Sequence, residues 1–552
     1  MTSAAKETIA VLRANGIRKI FGNPGTTELA LLDATVSGGM DFHLCLHEGA
    51  AVAMADGYGR ATGTTGVVMV HTSVGAANTL TNLINLRSDS RPLLVIAGDK
   101  DDRLSGRGCF CEVPDLPGLL RQVTKEAWRV TLPEKLPELT LRALKVAQAP
   151  TPGPVFLAVP ENYMTAQLPA ECVGQHVRAA DRITLRAHPE ELRPVVAALA
   201  SARRPLLIAG NEVGRSEAAP LLAEFADRLG VPVVGEEVFT TNALNFPNDH
   251  PLYHGNFSPE LAVVRNADLV VSIGARAFME YAYPAEPYVR PGVRFMQIGA
   301  DAAELGKIYN AELAVLGEAG AAIRDLLEIA SGDVLPHIGV LKERRDRASR
   351  RRETTAPDGT PPPGGSGSLH PLQLLAALDE ALPGDAVIVD ESVLSKGLLQ
   401  RHVALNGRRL YLGTSGGGLG WGLPAAIGVQ LGMPGRRVVA FVGDGGVLFN
   451  IQSLWTAAHL GLPVVVVVVN NGGYMAVRRG LGQFGEESAR SGRYPGSFIA
   501  KPEVDLCRLA DGFGVQSVTV READQLAHAL HWALELGAPA LVDVRVAPSA
   551  YY

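Results

Sequence analysis

Short apolar runs recur along the chain, and most are followed by a glycine-rich or polar turn and then by a helix-like stretch. Near the C-terminal end, residues 438–442 are apolar and lead into the turn 443–446, and residues 463–469 are apolar and lead into two asparagines. Runs of this length that are apolar throughout are typical of parallel strands buried on both faces. Their alternation with helices predicts an α/β chain of doubly wound parallel sheets.

The same order of elements occurs a second time near the N-terminus. A strand, a polar turn, a helix over residues 76–87 and another strand follow one another there. The interval from Val67 to Pro92 spans 25 positions, as does the interval from Val438 to Pro463. We interpret the two regions as related domains that arose by internal duplication.

The remaining sequence predicts a third α/β unit and a linker. Between the two related regions, apolar runs at residues 205–210, 231–234 and 267–274 indicate further buried strands. Residues 353–368 are rich in Pro, Gly and Ser and hold too few apolar side chains to form a core. Three domains are therefore expected, over residues 1–180, 188–345 and 369–552, with a linker over residues 346–368.

Length and composition agree with a cytoplasmic protein of several domains. The 552 residues are too many for a single core. The net charge of −6 gives no sign of a nucleic-acid or anionic-membrane partner, and the apolar runs are shorter than a membrane span. The five cysteines are scattered without zinc spacing, which favours a reduced compartment. We therefore expect no nucleic acid, no membrane and a cytoplasmic location.

Two polar residues near the C-terminal end predict a metal and phosphate site. Asp444 and Asn471 each come just past a buried strand, at the sheet edge where open α/β sheets bind ligands. Oxygen ligands of this kind suit Mg²⁺, which usually completes its octahedron with phosphate oxygens. Gly445 and Gly446 would leave backbone N–H groups free at a helix start to receive a diphosphate. The alternative is a plain βαβ crossover in which Asp444 caps the helix.

Two titratable residues near the N-terminal end predict proton chemistry. Glu48 ends a strand and is followed by small apolar residues that suit a dry pocket. His71 follows another strand, and an imidazole can act as acid or base near neutral pH. We expect both side chains to face one cleft. The alternatives are a helix-start Glu favoured by the macrodipole and a turn histidine bonded to the backbone.

These segments resemble the motifs of thiamine-diphosphate enzymes, including their Gly-Asp-Gly…Asn-Asn pattern. The matching residues are Phe21 to Thr26, Glu48, His71, Asp390 to Ser392, Gly417 to Gly420, Asp444 and Asn471 to Tyr474. Nearly the whole chain is similar to the decarboxylase and acetohydroxyacid-synthase group, and it most resembles the benzoylformate decarboxylases. The resemblance implies pyrimidine-binding, central and diphosphate-binding domains, in that order. The alternative for residues 414–420 is a dinucleotide fingerprint, but the acidic residue expected on the following strand is not evident.

The resemblance also implies a cofactor site. Thiamine diphosphate and Mg²⁺ are the expected cofactors, with Asp444, Asn471 and Gly473 as the metal ligands. The residues expected to contact the cofactor are Asn23, Gly25, Glu48, Ser392, Val393, Leu394, Gly417, Leu419, Asp444, Gly445, Gly446, Asn471, Gly473, Tyr474 and Met475. A structural FAD, which synthases of the group bind on the central domain, is not expected, although the sequence leaves it open.

By the same resemblance, four residues are expected to act in catalysis: Glu48, His71, Thr26 and Tyr281. Glu48 would bind N1′ of the aminopyrimidine and help to deprotonate the thiazolium carbon. His71 and Thr26 stand where benzoylformate decarboxylases have a histidine and a serine. Tyr281 aligns with a second active-site histidine of those enzymes, so their second proton relay is not matched here.

The implied function is thiamine-diphosphate-dependent decarboxylation of a 2-oxoacid of the benzoylformate type to an aldehyde, with carboligation as a side activity. Residues 71–78 and 110–112 resemble synthase segments instead. The alternative is therefore an acetolactate-synthase-like carboligase that forms 2-hydroxyketones or acetohydroxyacids. A binding protein without catalysis is a third alternative, which Glu48 opposes because binding alone needs no carboxylate at N1′. The group's shared sites imply a homo-oligomer, a dimer of dimers, with each active site between subunits.

Overall fold

The computed structural model describes residues 2–179, 183–276, 278, 283–284, 286–331, 343–344, 368–499 and 501–548. Within these residues the chain forms three six-stranded parallel sheets with surrounding helices. This arrangement confirms the predicted α/β class. The predicted linker lies outside the described residues, apart from Ser368.

The first sheet is formed by the N-terminal region, and its strands are ordered β2-β1-β3-β4-β6-β5. The strands are β1 (Lys19–Asn23), β2 (Asp41–Leu44), β3 (Gly66–His71), β4 (Leu93–Asp99), β5 (Glu126–Arg129) and β6 (Pro154–Pro160). Its α-helices span Ala4–Ala14, Leu29–Gly38, Glu48–Thr62, Thr72–Asn78, Leu80–Asp89, Leu116–Leu120, Lys135–Gln148 and Glu161–Thr165. The central strands β3 and β4 are buried almost throughout, as their apolar sequences require.

The central region forms the second sheet, with the strand order β12-β11-β10-β7-β8-β9. Its strands are β7 (Pro205–Ala209), β8 (Val233–Gly235), β9 (Tyr253–Asn256), β10 (Leu269–Ile273), β11 (Arg294–Gly299) and β12 (Leu313–Leu316). Its described helices span Pro189–Ser201, Asn211–Arg215, Ala219–Leu229, Ala262–Arg265 and Ala319–Ile329.

The third sheet lies in the C-terminal region, with the strand order β14-β13-β15-β16-β18-β17. Its strands are β13 (Val387–Glu391), β14 (Leu410–Gly413), β15 (Val438–Gly443), β16 (Val465–Asn470), β17 (Gln516–Val520) and β18 (Ala540–Arg545). The helices span Pro371–Ala381, Lys396–His402, Gly422–Gly432, Asp444–Phe449, Ser453–His459, Met475–Phe484, Glu486–Ser491, Leu506–Gly512 and Ala523–Glu535. Counted within its own region, this strand order is that of the first sheet, whereas the second sheet differs. The shared topology agrees with the predicted duplication.

The chain divides into two compact units. One unit consists of residues 1–183, 388–392 and 414–552, and the other of residues 184–387 and 393–413. In the first unit, the helix Glu48–Thr62 packs closely against the helix Gly422–Gly432. A Cβ atom on Gly57 would collide with the carbonyl of Ala425, and one on Gly428 would collide with the carbonyl of Met54. Each helix follows the second strand of its sheet, so the contact joins equivalent helices of the two related regions.

The helical segments after β3 and β15 are each divided into two helices. The region predicted as a polar turn and a helix over residues 76–87 forms two helices in the structure, Thr72–Asn78 and Leu80–Asp89. The two helices are separated at Thr79, whose hydroxyl donates a hydrogen bond to the carbonyl of Ala76 at 2.6 Å. After β15 the first helix ends at Phe449, and the side-chain amide of the next residue, Asn450, donates to the carbonyl of Gly420 at 2.6 Å. Such side-chain bonds compete with helical backbone bonds and are invisible to hydrophobic periodicity.

Candidate active site

Glu48 is the first residue of its helix and is almost fully buried. The side chain of His47 caps this helix by accepting a hydrogen bond from Gly49 N at 3.0 Å. The amide of Asn78 donates to Glu48 Oε2 at 2.9 Å, and the amide of Asn23 lies 3.4 Å from Oε1. The carboxylate is therefore held by neutral amide donors rather than by a cationic side chain. This leaves its charge available to a ligand.

His71 is the last residue of β3 and is held through one ring nitrogen. Its Nδ1 lies 3.0 Å from Thr27 Oγ1 and 3.4 Å from Glu28 Oε2. The hydroxyl of Thr27 donates its one proton to Glu28 Oε1. The Thr27 oxygen can therefore only accept a hydrogen bond from His71. This order places a proton on Nδ1, so a proton exchanged with a ligand would pass through Nε2.

Glu28 contacts both Thr27 and His71 and holds them together. Its side chain is fully buried and also accepts a hydrogen bond from Gly25 N at 2.8 Å. A Cβ atom on Gly25 would collide with the imidazole of His71, so only glycine fits at this position. The close approach of His71 therefore requires glycine at position 25, which is also a predicted cofactor contact.

One of the predicted catalytic residues does not join this cluster. The structure places Thr26 on the surface of the turn after β1, with the buried Thr27 beside His71 instead. Tyr281 lies outside the described residues.

The predicted metal ligands lie at the carboxyl ends of the adjacent parallel strands β15 and β16. Asp444 begins the short helix after β15, and Asn471 and Gly473 follow β16. Burial raises the pKa of Asp444 to about 6, partly offset by backbone N–H groups of Gly445, Asn471 and Gly473. Within the described part of the chain, Asp444 forms no ion pair. A buried carboxylate beside amide and carbonyl oxygens fits a hard divalent cation.

The described residues contain no group of three or more His, Cys, Asp or Glu side chains that could hold a metal by themselves. The set Asp444, Asn471 and Gly473 supplies one carboxylate, one amide oxygen and one backbone carbonyl. Phosphate oxygens and water would have to complete the coordination, which is how Mg²⁺ is usually bound.

The predicted diphosphate contacts surround the same strand ends. A Cβ atom on Gly445 would lie against the ring of Tyr474, which caps the helix Met475–Phe484. The backbone N–H of Tyr474 donates to the carbonyl of Ser497 at 2.8 Å, so it is already engaged. Gly446 and the buried Met475 lie in the first turns of the two helices.

The turn after β13 holds three further predicted contacts. Ser392 donates through its backbone N–H and its hydroxyl to Asp390 Oδ1, at 2.9 and 2.6 Å. Val393 has a φ of 47°, a strained value for a β-branched residue. Leu394 follows in the same turn. Strain of this kind is often found where the backbone is shaped for a ligand.

Glu391 is a buried carboxyl group that sequence reasoning assigned no role. It accepts hydrogen bonds from the backbone N–H groups of Gly420 at 2.6 Å and Gly422 at 2.5 Å. Burial raises its pKa to about 7, although these backbone donors lower it. Glu391 thereby fixes the end of the loop that carries Gly417 and Leu419. Gly417 has a φ of 77° and is exposed, and Leu419 is half-buried.

Fold and site together define a class of protein: an enzyme with two related domains, one of which presents titratable side chains and the other a buried carboxylate at the start of a short helix. Three family models match the chain. Residues 2–119 match the N-terminal binding domain of thiamine pyrophosphate (thiamine diphosphate) enzymes, residues 192–326 match their central domain, and residues 395–544 match their C-terminal binding domain.

Individual relatives match over almost the full length. The chain is 28% identical to the benzoylformate decarboxylase of Pseudomonas aeruginosa, covering 99% of both chains. It is 31% identical to the acetolactate synthase large subunit of Parasynechococcus marenigrum, over 99% of this chain and 87% of that one. A solved 4-hydroxybenzoylformate decarboxylase of Rhodococcus jostii RHA1 superposes with a TM-score of 0.86 at 29% identity, covering 99% of each chain. The chain belongs to the thiamine diphosphate enzyme family, which has decarboxylase and carboligase members. Among the residues described, no helix combines the length and apolar character needed to cross a membrane.

Proposed function

We propose that the protein is a thiamine-diphosphate- and Mg²⁺-dependent decarboxylase of a 2-oxoacid of the benzoylformate type, which releases an aldehyde. The observation that carries this proposal is the pair Glu48 and His71, held in defined orientations by neutral amides and by Thr27 and Glu28. The decarboxylase relatives named above align over the full chain and support the same assignment.

The cofactor would supply the electron sink that accepts the electron pair left by departing CO₂. Glu48, fixed by Asn78, would share a proton with N1′ of the aminopyrimidine. His71 would give or take a proton through Nε2 at the substrate's reacting carbonyl, since Nδ1 is held by Thr27. Asp444, with the oxygens of Asn471 and Gly473, would hold Mg²⁺ against the diphosphate.

A carboligase is the second candidate function. The acetolactate synthase relative is slightly more identical to this chain than the benzoylformate decarboxylase relative is. Both reactions begin with the same loss of CO₂ and differ in whether a proton or a second carbonyl compound is then received. The proton supply around His71 therefore decides between them.

We propose a homodimer with shared sites, assembled further into a dimer of dimers. Large apolar side chains on the segments that carry the predicted site are exposed in the single chain: Leu46 before the Glu48 helix, Val74 in the helix after His71, and Phe449 and Val477 in the first helices after β15 and β16. Their exposed fractions lie between 42% and 53%. A second copy of the chain would cover them, which is the usual role of an exposed apolar patch.

The central unit supports the expectation that no FAD is bound. Its strand order reverses between β10 and β7, where a doubly wound sheet would receive a dinucleotide. The helix after β7 starts at Asn211, and Glu236 Oε1 already accepts a hydrogen bond from its backbone N–H at 2.8 Å. A carboxylate therefore stands where a diphosphate would bind. Stoichiometric flavin absorbance released from the purified protein would contradict this proposal.

A cytoplasmic location stays a prediction from cysteine usage.

The deciding experiment is a substrate panel. Purified protein with thiamine diphosphate and Mg²⁺ is incubated with aryl and alkyl 2-oxoacids, with and without an acceptor aldehyde, and both aldehyde and hydroxyketone are measured. The proposal expects aldehyde as the main product from an aryl 2-oxoacid. Hydroxyketone or acetohydroxyacid as the main product in the absence of added aldehyde would favour the carboligase.

A further inference from the structure

The loop that carries Gly417 and Leu419 is held by a helix of the N-terminal region of the same chain. The carboxamide of Asn85 donates to the carbonyl of Gly418 at 2.9 Å and accepts from its N–H at 2.9 Å. One side chain thus pairs with both backbone groups of the residue between Gly417 and Leu419. This is the kind of contact that fixes a backbone in one conformation.

Close packing explains two of the loop's glycines. A Cβ atom on Gly416 would collide with Asn85, and one on Gly418 would lie 2.7 Å from the side chain of Thr81. Gly416 and Gly418 are therefore required by the approach of the helix Leu80–Asp89. Only Gly417, with its positive φ and open surroundings, is left for a ligand-facing role.

A second anchor lies one turn further along the same helix. Asp89 accepts hydrogen bonds from the N–H and the hydroxyl of Ser415, at 2.8 and 2.6 Å, and pairs with the buried Arg60 at 2.9 Å. Burial alone would raise the pKa of Asp89, but Arg60 and Ser415 together hold it below its usual value. The loop is thus tied at two points to one helix.

The other end of this arrangement reaches the helix of Glu48. Asn85 also donates to Asn82 Oδ1 at 2.9 Å, and Asn82 donates to the carbonyl of Gly49 at 2.8 Å. Both asparagines are almost completely buried and lie three residues apart on one helix face. We call Asn82 and Asn85 the asparagine bridge. It joins the backbone next to Glu48 to the backbone next to Gly417.

We propose that Asn82 and Asn85 are positioning residues that set the backbone of Gly417 and Leu419 and the start of the Glu48 helix together. The inference rests on the proposed function and its shared sites. In that assembly, Glu48 of one chain serves one active site and the 414–420 loop of the same chain serves the other. The asparagine bridge then couples the two sites of a dimer.

The first test uses Asn85→Asp and Asn85→Leu. The Asp variant keeps the acceptor for Gly418 N–H but loses both donors, and the Leu variant loses all three bonds. Asn248 is the matched control, because its amide donates to the carbonyls of Gln400 and Val403 and accepts from Leu405 N in the central unit. Asn248→Asp and Asn248→Leu remove the equivalent hydrogen bonds of Asn248, which involve none of the predicted site residues.

We expect kcat to fall about 10-fold in Asn85→Asp and up to about 100-fold in Asn85→Leu, with KM for the 2-oxoacid changed less than about threefold, since small misplacements of reacting groups slow catalysis strongly. The Asn248 variants should stay within about twofold at an equal loss of melting temperature. Equal kinetic losses in both series would overturn the proposal. If Asn85→Leu does not fold, Asn85→Asp alone decides.

The second test separates the two ends of the bridge by subunit mixing. In a hybrid of Asp444→Ala and Glu48→Gln chains, the one complete site takes Glu48 from the first chain and the diphosphate domain from the second. Asn85→Asp is added to either chain in turn. Activity that falls about 10-fold with either placement supports coupling through the bridge, whereas a loss confined to one placement, or found in neither, overturns it. A hybrid without any Asn85 change that stays inactive contradicts the shared site instead, and the Asn248 comparison then decides the positioning role.

Discussion

The first and third sheets have the same strand order, but the groups at their carboxyl ends differ. The first sheet presents His71 at the end of β3 and Glu48 after β2, both with titratable side chains held by neighbours. The third presents the buried Asp444 after β15, followed by Gly445 and Gly446 in the first turn of a short helix. Under the proposed function, one backbone architecture would serve proton transfer at one edge and ion binding at the other. The residues just past each strand decide which.

The largest effect is expected at the ion-binding edge. Asp444→Ala should weaken Mg²⁺-dependent binding of thiamine diphosphate by about 100-fold or more, because the only carboxylate of the predicted metal set is lost. Calorimetric titration measures this affinity. Asp505→Ala, which removes an aspartate that caps a different helix of the same region, is the control and should bind normally. Unchanged affinity in Asp444→Ala would exclude Asp444 as a ligand.

The proton-transfer edge should lose turnover rather than binding. In Glu48→Gln, the amide can still hydrogen-bond N1′ but cannot share its proton, so kcat should fall by about 100-fold or more at saturating cofactor. Cofactor affinity should change little. Glu161→Gln is the matched control, since Glu161 also begins a helix after a strand of the first sheet. If both variants lose activity equally, Glu48 serves only as a helix-start residue.

Mixing the two inactive variants tests whether the two edges meet across subunits. Half of a random mixture is hybrid dimer with one of two sites complete, so about a quarter of the wild-type activity should return. Subunit exchange is verified by native mass spectrometry of the mixture. A mixture that exchanges but stays inactive would show that each site is built within one chain.

At the proton-transfer edge, substitutions of the residues that hold His71 should have a smaller effect on catalysis than substitution of Glu48. Glu28→Gln places an amide where a carboxylate accepts hydrogen bonds from Gly25 and Thr27. The Thr27 hydroxyl can then reorient, so the hydrogen bond that places a proton on Nδ1 of His71 is disturbed. We expect kcat/KM to fall about 10-fold with cofactor affinity unchanged. Thr27→Val, which removes the hydroxyl but not the charge, should have a similar but smaller effect. Normal kinetics in both variants would remove His71 orientation from the mechanism.

The smallest expected effect concerns product choice. A phenol gives up its proton near neutral pH far less readily than an imidazolium. Tyr281→His should therefore shift the ratio of aldehyde to hydroxyketone severalfold towards aldehyde when an acceptor aldehyde is supplied. Product analysis by chromatography measures the ratio, with Tyr281→Phe as control. An unchanged ratio would place residue 281 outside the substrate pocket.

The sequence alone determined the class of the fold and the residues at the strand ends. Runs such as those of β15 and β16 are apolar because both faces of a parallel strand are buried, so their positions can be predicted from local pattern. Asp444, Asn471, Glu48 and His71 could be singled out for the same reason. Polar residues directly after buried strands stand at the edge where such sheets bind ligands.

The polar residues that hold these groups in place become identifiable only once the chain is folded. Thr27 rather than Thr26 contacts His71, because the turn after β1 directs one side chain inward and the next outward. The roles of Asn85 and Glu391 depend on backbone groups far away in the sequence. A buried polar side chain must find a partner, but only packing determines which one. Local pattern therefore predicts the reacting groups, whereas long-range packing decides their support.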